Sequence, residues 1–124
     1  MVRSFAELVR ALDAQLSAEE KADIRALAEM DLWKLHHGLN ALIRSLAFYR
    51  NESEHGKEYM GRLCIQPDDS SAVLGSLYWR HLQNLPLDGS DVLRVLQSEF
   101  VLGTPAEMEL WASELSEDYA TLAV

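Results

Sequence analysis

Three times along this chain a hydroxyl residue is followed, three positions later, by glutamate: Ser4 with Glu7, Ser17 with Glu20, and Thr104 with Glu107. That spacing lets the hydroxyl accept one orphan backbone N–H of a helix start while the carboxylate takes another. Each pair therefore predicts where a helix begins. Behind Ser4 stand Phe5, Leu8, Val9, Leu12 and Leu16, the i, i+3, i+4 pattern of a helix with one apolar face, so the first helix spans about 5 to 15. Ser17 opens a shorter one with Ile24, Leu27 and Ala28 inward, and Asp31 is placed to cap a third that runs to about Tyr49.

Beyond Arg50 the pattern lapses. The stretch "RNESEHGKEYMGRLCIQPDD" carries two glycines, a proline and many charges, and predicts a loop with at most one short helix, Lys57 to Leu63. Pro67 with Asp68 and Asp69 reads as a helix entrance, since carboxylates there face the positive end of the helix dipole. Val73, Leu74, Leu77, Tyr78 and Leu82 give that helix its inner face. After the "NLPLDGS" turn, a helix from Asp91 to about Leu102 buries Val92, Val95, Leu96 and Phe100. Thr104 and Pro105 start the last, with Met108, Leu110, Trp111 and Leu115 inward. No segment alternates like a strand for long. The expected fold is all-α, a single compact bundle of six or seven helices formed by one domain over 1–124.

Composition narrows the function. Twenty acidic against eleven basic residues give a net charge of −9, which repels phosphate backbones and attracts basic surfaces, so nucleic-acid binding is disfavoured. No apolar run approaches the roughly 20 residues that span a bilayer, and charges interrupt the N-terminal apolar pattern where a signal peptide would be uninterrupted. A cytoplasmic protein is expected, with no membrane partner. The lone Cys64 can form no internal disulfide and belongs to no CxxC framework; it reads as a small apolar residue.

The third helix holds the groups most open to a chemical reading. At about 100° per residue, Leu32, Leu35, Leu39, Leu42, Ile43 and Leu46 share one arc, with His36 at its border and Asn40, Trp33, Arg44 and His37 along the flank. His36 and His37 diverge around the axis and make a poor joint metal site, which on one helix favours histidines four apart. We expect no metal, no cofactor and no catalytic residue here. Instead His36, Arg44, Asp68 and Asp69 read as a structural polar cluster, with Arg44 bridged to Asp68 or Asp69, because an unpaired guanidinium at a core edge is costly. Gly38 inside this helix implies that another helix crosses closely.

The segments "HHGLNALIRS" (36–45) and "IQPDDSSAVLGSLYWRHL" (65–82) resemble a bacterial family of unknown function whose members show H-x-G-L-G-x-x-I-R-N and, later, H-P-D-D-x-S before an apolar helix. His36, Gly38, Leu39, Ile43, Arg44, Pro67, Asp68, Asp69 and Ser71 carry the likeness over about residues 30–84, while Asn40, Ser45 and Gln66 stand where that family usually has Gly, Asn and His. The resemblance implies a small α-helical bacterial protein with no established activity.

The functional expectation is a non-enzymatic protein-binding module, an immunity or antitoxin-like protein that neutralises a basic toxin domain by covering it. Glu52, Glu54 and Glu58 in the loop and Glu114, Glu117, Asp118 and Tyr119 near the C-terminus are the candidate contact residues. Two alternatives belong to other classes: a small-molecule enzyme using His36, Arg44 and Asp68/Asp69, and a self-associating adaptor or homodimer.

Overall fold

A computed structural model describes residues 1–123 of the chain, and among them every regular element is helical. The order is α1 (Phe5–Gln15), α2 (Ala18–Arg25), a 3-10 segment (Glu29–Leu35), α3 (Leu39–Arg44), a π turn (Ser45–Tyr49), α4 (Glu54–Met60), α5 (Pro67–Leu82), α6 (Gly89–Ser98), α7 (Pro105–Ala120) and a closing 3-10 turn (Thr121–Ala123). The all-α expectation holds, but six or seven helices undercounts the helical segments, because the predicted third helix is three pieces. Asp31 does not cap it. The 3-10 segment precedes a break at 36–38, and beyond α3 the chain underwinds so that Arg50 donates to the Ser45 carbonyl at 2.8 Å, an i→i+5 bond.

The break changes which residues face inward. Past Gly38, the buried set is Leu39, Asn40, Ile43, Arg44 and Ala47, while Leu32, Leu42 and Leu46 are only half-buried. The arc derived from one continuous helix is thus rotated toward Asn40 and Arg44. Nothing lies within 4 Å of the place where a Cβ on Gly38 would project, so the close crossing expected there is absent. The close approach occurs at Gly75 of α5, where a Cβ would collide with the Asn40 side chain.

Helix α5 is the centre of the bundle. Ser70, Ser71 and every residue from Val73 to Trp79 are buried, so this helix is covered on nearly all sides, by α2, the 3-10 segment, α3 and α6. α1 contributes Phe5, Leu8, Val9 and Leu12 to the same core, each worth roughly 1.5–3 kcal/mol when fully buried. α6 and α7 pair with each other, and α7 also rests on α1.

Several helix starts follow the sequence. Ser17 with Glu20 and Thr104 with Glu107 close reciprocally. At Ser4 only half of the arrangement forms: its hydroxyl accepts from Glu7, but the Glu7 carboxylate takes the Arg3 amide. The amides of Phe5 and Ala6 donate instead to Asp118 of α7, at 2.7 and 3.3 Å. Two starts were not foreseen. Ser53 caps α4, which runs three residues ahead of the expected 57–63, and Asp88 caps α6 in a box with Asp91. α6 then ends at Ser98. Glu99 turns extended, which stops the periodicity and leaves Phe100, expected inside, 63% exposed. Leu110 is also outward, because it falls opposite the Trp111, Ala112 and Leu115 face of α7.

Candidate functional site

Arg44 reaches inward from α3 and is 9% exposed. Its guanidinium donates to the carbonyl of His36 at 2.8 Å and to the Ser71 hydroxyl at 3.1 Å, and its Nε stands 3.6 Å from Asp68. Ser71 Oγ in turn donates to the Asp68 carbonyl. This clasp fastens the broken segment to the N-terminal turn of α5. Asp69 is not among the guanidinium's partners, and His36 takes part through its backbone; its imidazole is exposed and packs edge-on against His37 with ring centres 4.8 Å apart.

Beside the clasp lies a cleft of about 790 Å³ between the 3-10 segment, α5 and the end of α6, within the size range of ligand sites. Trp79 of α5 forms its inner wall, with Nε1 donating to the Leu27 carbonyl at 3.1 Å. Met30 and Trp33, 84% and 72% exposed, stand on the rim. Asn40, 4% exposed, also lines the cleft; its Oδ1 is buried with no hydrogen-bond partner. Glu99 lines it from the opposite side, accepting from the Ser76 hydroxyl at 3.1 Å. Burial pushes the Glu99 carboxyl above the usual range, and the Ser76 hydrogen bond offsets this only in part. Arg80 completes the lining, but its NH2 group donates to the Pro86 carbonyl at 3.1 Å and lies 3.7 Å from Asp91. Its Nε is buried without a partner.

A second polar group joins α1, α5 and α7. Tyr78 donates to Asp13 Oδ1 at 2.7 Å, His81 Nε2 lies 3.3 Å from the other Asp13 oxygen, and His81 Nδ1 is 2.9 Å from the Tyr119 hydroxyl. Desolvation, reinforced by Asp13, drives the Tyr78 hydroxyl far above its ordinary range. The group fastens the three helices to one another. The sequence reading missed it because Asp13 and His81 are 68 positions apart and only the fold joins them.

The candidate contact residues divide. Glu52, Glu54, Glu58 and Glu117 are exposed, with Glu54 2.8 Å from Lys57. Glu114 pairs with Arg62. Asp118 and Tyr119 are half-buried and also engaged within the chain: Asp118 caps α1 and accepts from Tyr59 at 3.0 Å, and Tyr119 packs against Phe5 and His81. The Cys64 thiol is half-buried, and desolvation raises it above its usual range, which keeps it protonated. Among the described residues, no group of three or more His, Cys, Asp or Glu is arranged to hold a metal ion, and no helix is long and apolar enough to cross a membrane.

Residues 3–82, more than half of the chain, match a family described as a domain of unknown function, DUF6794. The chain belongs to the DUF6794 family. No curated protein and no solved structure matches it. The DUF6794 region spans α1 to α5 and contains the whole Arg44 clasp and most of the cleft, including Trp33, Asn40, Ser76 and Trp79. Glu99, Ser98 and Val95 reach the cleft from beyond it. Sequence signals for this site were slight: Trp33 on a helix flank, and Asn40 where the similar motif has glycine.

Proposed function

We propose that this DUF6794 protein is a protein-binding module of the immunity or antitoxin type, which neutralises a basic toxin domain by covering it. The observation that carries the reading is the pair of large apolar side chains, Met30 and Trp33, standing in solvent at the rim of a cleft on a chain of net charge −9. Exposed tryptophan beside a concave surface is the anchor type that dominates protein interfaces, and a strong negative charge speeds encounter with a basic partner. The enzyme alternative draws less support, since the Arg44 guanidinium is buried and already engaged by the His36 carbonyl, Ser71 and Asp68.

The test is co-purification with the product of the adjacent reading frame, expressed as a catalytically dead variant. A complex of one copy each that resists moderate salt is expected. Failure of the two purified chains to associate at micromolar concentration overturns the reading.

A further inference from the structure

The cleft carries an electrostatic imbalance that the fold leaves uncorrected. Glu99 is half-buried, accepts one hydrogen bond from Ser76, itself buried, and among the described residues forms no ion pair. A carboxylate removed from water is costly without a positive partner. The neighbouring cation, Arg80, is turned toward the Pro86 carbonyl and toward Asp91, a carboxylate that it shares with Arg94, and makes no ion pair with Glu99 among the described residues. Glu29 adds a second carboxylate to the lining. At the rim, the exposed Trp33 ring offers a π face of the kind that attracts cations.

We propose that the cleft receives an arginine side chain from the protein partner, with its guanidinium stacked on the Trp33 indole and neutralising the Glu99 carboxylate. The assignment rests on the protein-binding reading above and names the chemistry of the contact. Arginine is specified over lysine because a planar guanidinium stacks on an indole face and offers five donors in a fixed fork. The −9 net charge supplies the long-range attraction.

The probe is a blocked tripeptide, acetyl-Gly-Arg-Gly-amide, with citrulline and lysine versions beside it. Binding is followed by the indole N–H resonances of Trp33 and Trp79, with the fully buried Trp111 as internal control. The arginine peptide is expected to shift Trp33 and Trp79 saturably at millimolar concentration and leave Trp111 in place. The citrulline peptide, which keeps the shape and loses the charge, binds at least tenfold more weakly, and lysine falls between. Glu99→Gln, with Trp111 unmoved to report an intact fold, loses at least tenfold for arginine. Equal response to arginine and citrulline, an unaffected Glu99→Gln variant, or no shift at all overturns the proposal. If the adjacent product is captured equally by wild type and Glu99→Gln, the cleft assignment fails while the binding reading stands. If the arginine peptide binds as described and the adjacent product is not captured, the binding reading fails instead. A doubled mass in solution, with Trp33 already shifted and unresponsive to peptide, makes the occupant a second copy and overturns the partner assigned here.

Discussion

The segment from Glu29 to Ser53 and the α6–α7 pair are built from similar proportions of leucine and charge, yet they are held in different ways. The α6–α7 pair is regular: each helix has a closed capping box, and its buried residues, Val92, Leu96, Trp111, Ala112 and Leu115, are all apolar. The 29–53 segment passes through three windings, 3-10, α and π, and buries Asn40, Arg44, Asn51 and Ser53. Asn51 alone donates to the carbonyls of Val2 and Ala47 and accepts from the amides of Val2 and Ser53. Where backbone regularity is lost, side chains take over the satisfaction of buried polar groups, and the cleft opens beside that substitution.

This contrast is open to measurement by urea denaturation. The largest effect is expected for Arg44→Ala, about 3 kcal/mol of destabilisation, because it removes three contacts and leaves the His36 carbonyl without its donor. A loss under 1 kcal/mol would show that packing, and not the clasp, holds the segment. Gly75→Ala comes next, at about 2 kcal/mol, since the new Cβ drives into Asn40. Asn40→Gly in the same chain should recover most of that loss, and additive costs would mean that the two positions are not coupled. Thr104→Ala, in the regular pair, should cost about 1 kcal/mol as a lost cap and leave the Trp33 and Trp79 resonances unmoved; movement there would join the two regions.

Glu99→Gln is the smallest effect and has the opposite sign. The folded-state carboxyl is raised, so between its ordinary and raised values the folded chain holds the proton more firmly than the unfolded one, and stability falls as pH rises through that window. Glutamine is free of this cost. The variant should therefore melt slightly higher than wild type at neutral pH, with the gain vanishing in acid. Equal melting temperatures across that range would remove the burial cost from Glu99.

The same contrast explains what could be read from the sequence. Ser17, Glu20, Thr104 and Glu107 act within one helical turn, so their spacing alone places two starts. Asp88 with Asp91 obeys the same rule with a shorter carboxylate, and the reading began that helix at Asp91 instead. The leucines of the third helix fit one continuous period, and Gly38, the local signal within 36–38, reads as a close crossing when it in fact marks where the period restarts out of phase. The cleft depends on that restart, since it is what turns Asn40 inward and leaves Trp33 in solvent. Asp118 looked like one more surface acid in an acidic stretch, and its role depends on α1 lying against α7.

That last contact has an implication for how the chain is made. During synthesis the amides of Phe5 and Ala6 leave the ribosome well before the carboxylate they donate to, which lies 113 and 112 positions further along the chain. Helix α1 can therefore close its start only in part, through the local Ser4 cap, until Asp118 has been joined and α7 can lie against it.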